Sequence, residues 1–170
     1  MDFMEQNKYD DLFFEADNMI ADKNYSGAMQ NLEAILADAP DYGKAYNHLG
    51  WIMETRYKDY ARAEEFYKKC LVYSPEYVPI YLNLSILLST LGKYEEQQAL
   101  LEKALQTPGT DKAAMYNELA LMHELKGDYL EAIRQFKMAV RHSMSDSNMD
   151  IYVRSMERCR KKMQVLGENQ

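Results

Sequence analysis

The chain has 170 residues, of which 12% are aromatic and 28% charged, and a formal net charge of −7. This length suits one domain, and the negative charge argues against a nucleic-acid partner. No run of 18 apolar residues predicts a membrane span, and the N-terminal residues lack the basic and apolar regions of a signal peptide, so we expect a cytoplasmic protein that does not bind membranes.

A pattern that recurs about every 34 residues organises the sequence. In each unit a tyrosine is followed three residues later by Ala or Gln, a small residue lies about twelve residues before that position, and in three units a proline lies about twelve residues after it. The tyrosine pairs are Tyr25 and Ala28, Tyr60 and Ala63, Tyr94 and Gln97, and Tyr129 and Ala132; the small residues are Ala16, Gly50, Ser85 and Ala120; the prolines are Pro40, Pro75 and Pro108. Such a period predicts stacked helical hairpins, each too small to bury its own apolar face.

Each unit is expected to contain a helix A, a tight turn and a helix B. Helix A of the second unit is predicted over residues 43–57, with apolar residues at helical spacing on one face. Gly50 lowers the helix propensity of this segment by roughly 1 kcal/mol relative to alanine. We interpret it as a point where another backbone comes close, with Ala63 of helix B supplying the matching small surface.

The turns between the paired helices carry their own signals. Gly92 and Gly127 lie just past the third and fourth A helices, where a left-handed backbone suits glycine. Asn24 and Asp59 are expected to take the same position in the first two units, because asparagine tolerates that conformation.

The tail, residues 147–166, is predicted to form one further helix, with Ser147 as its cap. Four apolar residues are expected to cover the open face of the last unit: Ile151, Met156, Met163 and Leu166. Residues 1–8 are expected to be an N-terminal extension, and residues 167–170 a frayed end.

The spacing resembles the tetratricopeptide repeat, whose pattern is Trp-x2-Leu-Gly-x2-Tyr, then Ala-x3-Phe, then Pro. The second unit fits best, with Tyr46-x2-Leu49-Gly50, Ala63-x3-Tyr67 and Pro75. The resemblance implies an all-α fold, an α-solenoid of four antiparallel helix hairpins in a right-handed superhelix, with the tail as a C-terminal capping helix. The repeats are placed at residues 9–42, 43–77, 78–112 and 113–146, with one extra residue in each of the second and third.

The resemblance also implies a concave wall built from the A helices, where such proteins hold a segment of a partner. Three asparagines recur along this wall, and a row of amides can hold a peptide backbone whatever its sequence. An alternative interpretation of the apolar members is packing against neighbouring A helices. The predicted peptide-binding residues are Phe13, Asp17, Asn47, His48, Trp51, Leu82, Asn83, Ile86, Asn117, Glu118 and Leu121.

Family members that grip the acidic C-termini of heat-shock chaperones carry Lys, Asn and Arg at set wall positions. Counted from the second repeat, only Asn83 matches. Counted from the first repeat, none of the positions matches, and Asp17 stands where an asparagine is needed. An acidic side chain in the groove would repel a carboxylate ligand. We therefore expect the partner segment to be apolar with neutral or basic character.

No residue pattern for catalysis, a metal or a cofactor is found. None of His48, His123 and His142 has a His, Cys or acidic residue at metal-ligand spacing on the same helix face. We expect a non-enzymatic protein-interaction module. The charge distribution leaves an alternative: residues 1–42 carry a net −8 and residues 148–166 a net +3, which favours head-to-tail attraction in a self-assembling scaffold or homodimer. A secretion-type chaperone is a third alternative, based on size and acidity.

Overall fold

The computed structural model describes residues 3–167, with side chains from residue 8 onward. Within this range every regular element is helical, as expected for an all-α repeat fold. The helices are α1 (Phe3–Ala21), α2 (Tyr25–Asp38), α3 (Gly43–Ile52), α4 (Tyr60–Tyr73), α5 (Pro79–Thr90), α6 (Tyr94–Gln106), α7 (Lys112–Leu125), α8 (Tyr129–His142) and α9 (Asp146–Leu166), with a π-helical turn at Met53–Tyr57.

The chain divides into two compact units, Met1–Leu87 and Leu88–Gln170. Helix α1 already begins at Phe3, inside the segment expected to be an extension. The predicted fraying of residues 167–170 falls largely on 168–170, which lie outside the described residues, as do residues 1 and 2. The predicted right-handed superhelix stays a prediction.

The small residues of the repeat, and the Ala or Gln three residues after each tyrosine, share one environment: each is buried. The fully buried members include Ala16, Ala28, Ala63, Ser85, Gln97, Ala120 and Ala132, all with 0% exposure. Because helix axes approach most closely where side chains are small, Ala16 and Ala28 mark where α1 meets α2, and Ala120 and Ala132 mark where α7 meets α8.

Gly50 is required by an aromatic ring, and not by the backbone near Ala63 as we expected. A Cβ placed at Gly50 would lie 2.5 Å from Cδ1 and 2.6 Å from Cε1 of Tyr67. The Tyr67 side chain is fully buried, and its hydroxyl donates a hydrogen bond to Glu54 Oε2 at 2.8 Å. The ring therefore cannot easily move away, and glycine makes room for it.

The second repeat absorbs its extra residue inside a helix. Ten positions separate Gly50 from Tyr60, whereas nine separate Ala16 from Tyr25. The predicted helix over 43–57 is α-helical only to Ile52, and Met53–Tyr57 forms the π-helical turn. A π turn accommodates one residue more than an α turn, so the flanking contacts keep their register.

The left-handed turn positions fall one residue earlier than predicted in the first two repeats. Gly92 and Gly127 have φ of +68° and +82°, as expected, but the corresponding residues are Lys23 (φ 63°) and Lys58 (φ 56°). Asn24 instead caps the next helix, accepting a hydrogen bond from the Gly27 backbone N–H at 3.1 Å. Asp59 likewise caps α4, accepting a hydrogen bond from the Arg62 backbone N–H. A short side chain with an oxygen satisfies a free N–H at a helix start better than it supports a left-handed turn.

Helix α9 packs on α8 and α7 in a common core, as expected for a capping helix. Its N-cap is Ser145, not Ser147, and the side chain accepts a hydrogen bond from the Asn148 N–H. Of the four residues expected to cover the last repeat, Met156 and Met163 are buried, whereas Ile151 and Leu166 are 48% and 58% exposed. The buried face consists of Tyr152, Ser155, Met156, Cys159 and Met163.

Candidate functional site

A groove in the first unit collects five of the predicted peptide-binding residues. Its volume is about 280 Å³, and it lies between the C-terminal part of α1, helix α3 and the start of α5. The residues that line this first-unit groove are Asp17, Ile20, Asn47, His48, Trp51, Tyr77, Pro79 and Asn83. Helical spacing of three to four residues places Asn47, His48 and Trp51 on one face of α3.

Two of the predicted amides bind each other. Asn83 Nδ2 donates a hydrogen bond to Asn47 Oδ1 at 3.0 Å, which joins α5 to α3. Asn47 is only 3% exposed, so its amide is largely unavailable to a ligand. Asn83 is partly exposed and keeps its own carbonyl oxygen, which can accept a hydrogen bond from a peptide N–H.

The acidic wall of the groove is organised by a histidine. His48 Nε2 lies 2.6 Å from Asp17 Oδ1, and His48 Nδ1 lies 3.3 Å from the carbonyl oxygen of Lys44. Both ring nitrogens face oxygen acceptors, so the orientation of the ring is set by contacts on two sides. Phe13 packs edge-on against the imidazole with a centroid distance of 4.5 Å. Asp17, whose side chain is 47% exposed, therefore presents its carboxylate at a fixed place.

Residues that the site prediction missed pack against the single tryptophan, Trp51. Arg56 of the π-helical turn lies 5.4 Å from the Trp51 ring centroid and 4.4 Å from that of Tyr25. A guanidinium over aromatic faces is attracted by their electron density. The same turn is fixed by Glu54, whose pKa is raised by burial, an effect partly opposed by the hydrogen bond from Tyr67.

Tyr77 is a second groove residue that the site prediction missed. It precedes α5 in the loop after Pro75, where no helical period could identify it. Burial raises its pKa to about 12, and the negative charge of Asp17 contributes to the same shift. The phenol therefore stays protonated at neutral pH and can donate a hydrogen bond.

The other predicted residues lie outside this groove. Leu82 is partly exposed and Ile86 is 43% exposed on α5. In the second unit, Glu118 and Leu121 line a separate cavity of about 320 Å³, which we call the second-unit pocket. Asn117 donates a hydrogen bond to Glu118 Oε1 at 3.3 Å.

Across residues 8–167, whose side chains the structure describes, no three His, Cys, Asp or Glu side chains come together as metal ligands. None of the helices in the described part of the chain is both long and apolar enough to cross a bilayer.

The comparisons with known proteins agree with the repeat architecture. The family model described as tetratricopeptide repeat matches residues 78–108. TTC0263, a thermophilic tetratricopeptide-repeat protein of Thermus thermophilus, is similar in structure with a TM-score of 0.63 and 22% identity over 85% of this chain and 79% of that one.

Two structures of MamA are similar in the same way. MamA AMB-1 has a TM-score of 0.63 and 24% identity, covering 77% of this chain and 70% of its own. Another MamA protein has a TM-score of 0.66 and 18% identity, covering 98% and 96%. At these identities the likeness shows a shared fold. The comparison with curated proteins found no match.

Proposed function

We propose that the first-unit groove of this chain holds a segment of another protein. The chain has the fold of tetratricopeptide-repeat proteins, with a matched repeat at residues 78–108. The proposed activity is non-enzymatic: the protein brings a partner into place by binding it. The observation that supports this most directly is the groove itself, where an indole, an amide, a phenol and a carboxylate converge around about 280 Å³.

Each lining group has a task in this proposal. The Trp51 indole and the Ile20 side chain provide apolar contact area for a partner side chain, and aromatic residues in concave sites contribute strongly to binding. The Asn83 carbonyl oxygen and the Tyr77 hydroxyl bind backbone groups of an extended peptide. Neither contact depends on the partner's sequence, so they set affinity more than specificity.

Specificity in this proposal comes from Asp17. Its carboxylate is the exposed negative charge of the groove, because His48 contacts only one of the two carboxylate oxygens, Oδ1. A basic side chain of the partner would gain a charge-assisted hydrogen bond there, whereas an acidic one would be repelled. The partner segment is therefore expected to be apolar with neutral or basic character.

The proposal is tested by selecting binders from a library of random linear peptides displayed on phage. Trp51 is the only tryptophan, so its fluorescence reports occupancy of the groove directly. We expect a dissociation constant on the order of micromolar, which is about −8 kcal/mol. Asn83→Ala and Asp17→Asn should each weaken binding about tenfold, and Trp51→Ala, followed by anisotropy of a labelled peptide, should weaken it at least as much.

Val72→Ala is the matched control, because Val72 is 73% exposed on α4 and lies outside the groove residues. It should bind like the wild type. A library that yields no binder, binders that are uniformly acidic, or affinities that are unchanged by Trp51→Ala and Asn83→Ala would each refute the assignment.

Self-assembly is a second candidate function, favoured by exposed apolar residues on helices of opposite charge. Phe14 is 66% exposed on the acidic helix α1, and Ile151 and Val153 are 48% and 41% exposed on the basic helix α9. Sedimentation velocity at low salt tests it: assembly should grow with concentration and be reduced by Phe14→Ser. A strict monomer at every concentration excludes this function.

A cytoplasmic location is part of the main proposal. Its support is that Cys70 and Cys159 are both buried free thiols, with no disulfide between them. Reduced cysteines of this kind are usual where glutathione keeps thiols reduced.

A further inference from the structure

The second-unit pocket contains a carboxylate, Glu118 of α7, whose hydrogen bond comes from a neutral amide, Asn117 Nδ2 at 3.3 Å. No lysine or arginine of the described residues forms an ion pair with it. Burial raises the pKa of Glu118, and the hydrogen bond from Asn117 only partly opposes this. Glu118 is partly buried, and carboxylates partly removed from water are normally paired, so this one is a candidate binding group.

The two cations of the same pocket are already committed. Arg158 Nε and Nη2 lie 2.7 and 2.5 Å from the two carboxylate oxygens of Glu124, and Lys162 Nζ lies 2.7 Å from Oε1. The Glu124 side chain is only 6% exposed. An incoming anion would have to compete for Arg158 and Lys162 with a buried carboxylate that accepts three charge-assisted bonds.

The remaining lining residues are Leu121, Leu125 and Ser89, so the rest of the wall is mostly aliphatic. Leu121 and Leu125 lie three and seven residues after Glu118, which places all three on one face of α7. Leu125 is 62% exposed although it is apolar. A cavity of about 320 Å³ is at the small end of ligand sites and suits one side chain better than a peptide segment.

We propose that the second-unit pocket binds a basic side chain of a partner protein, with Glu118 as the counter-ion and the two leucines against the aliphatic stem. A lysine meets this description, since its four methylenes bury along apolar surface while its ammonium group reaches an acceptor. The proposal shares with the preceding one only the premise that the partner is a protein. The pocket lies in the other unit, and it does not require the first-unit groove to bind anything.

The test uses small probes, so that it stays separate from peptide binding in the groove. Methyl resonances of leucine-labelled protein are followed by NMR at pH 7.5 during titration with Nα-acetyl-lysine N-methylamide. The norleucine derivative, which has the same stem without the charge, and the glutamate derivative are titrated in parallel. We expect the lysine derivative to shift Leu121 and Leu125 with a dissociation constant on the order of millimolar, and the other two to bind at least tenfold more weakly.

Glu118→Gln keeps the size and the hydrogen-bonding shape of the side chain but removes its charge, and it should weaken lysine binding about tenfold or more. Glu157→Gln is the matched control: it removes an exposed carboxylate of α9 outside the pocket and should leave binding unchanged. Equal binding of norleucine, preferential binding of glutamate, no shift at either leucine, or an unaffected Glu118→Gln would each overturn the proposal. The first-unit variant Trp51→Ala should bind the probe normally, so either site can fail without the other.

Discussion

The ion triad of the second unit gives the sharpest prediction for stability. Arg158 and Lys162 together hold the pKa of Glu124 down to about 2, from an ordinary value of 4.5, with the hydrogen bond from Arg158 as the largest cause and burial opposing it. The full shift corresponds to about 3 kcal/mol. Since the Arg158 and Lys162 side chains remain 48% and 43% exposed, water screens the attraction. We expect Glu124→Gln to reduce the free energy of unfolding by about 2 kcal/mol at pH 7.

The pH dependence of this loss identifies its cause. The folded-state pKa of Glu124 is depressed, so its contribution is fully present above about pH 4.5 and is lost as the pH falls toward 2. Urea unfolding followed by circular dichroism at pH 7 and at pH 3 measures the difference between variant and wild type, which should shrink by more than half at the lower pH. Glu157→Gln, on the same helix as the two cations but exposed, is the control and should change stability little at either pH. A difference of the same size at both pH values would show that packing, not charge, explains the loss.

Three further predictions concern the first unit. Gly50→Ala should destabilise by about 1–2 kcal/mol in urea unfolding, because overpacking against Tyr67 exceeds the gain in helix propensity; an unchanged midpoint would contradict the contact. Lys23→Gly should stabilise by about 0.5–1 kcal/mol, since it relieves a left-handed non-glycine residue; a loss of stability would show that the backbone is not left-handed there. Arg56→Ala should make Trp51 fluorescence more accessible to acrylamide; unchanged quenching would mean that Arg56 does not cover the indole.

The repeat positions were predictable because burial imposes them at a fixed period. Ala16, Gly50 and Ala120 lie where two helices meet, and a large side chain is excluded there whatever else the sequence does. The partner of each small residue was less predictable. Gly50 faces the Tyr67 ring, and which residue fills the space depends on the rotamer of a side chain on another helix.

The residues of the first-unit groove could be predicted only where the period of the repeat applies. The A-helix spacing assigned Asp17, Asn47 and Trp51 to one wall, and in the structure these three residues line the same groove. It did not show that Asn83 and Asn47 bind each other, because that depends on the distance between two helices. Tyr77 lies in a loop, where no period applies.

The capping helix shows how a local pattern can mislead. Ile151, Tyr152 and Val153 are three consecutive apolar residues, so spacing alone permits more than one buried face. The structure buries Tyr152 and leaves both neighbours exposed. The larger ring removes more apolar surface from water.

The π-helical turn shows how a helical repeat can differ in length by one residue without losing its buried contacts. In an α-helix one additional residue rotates everything after it by about 100°, which would normally turn a buried face toward solvent. Here the extra residue is accommodated within Met53–Tyr57, before α4 begins, so only the side chains of that turn change direction. One residue more than in the first repeat thus changes the side chains presented by this turn, while Ala63, just beyond it, remains fully buried. Inserting the same turn into the first repeat, after Ile20, would place its side chains between α1 and α2 without any change to the buried residues of those helices.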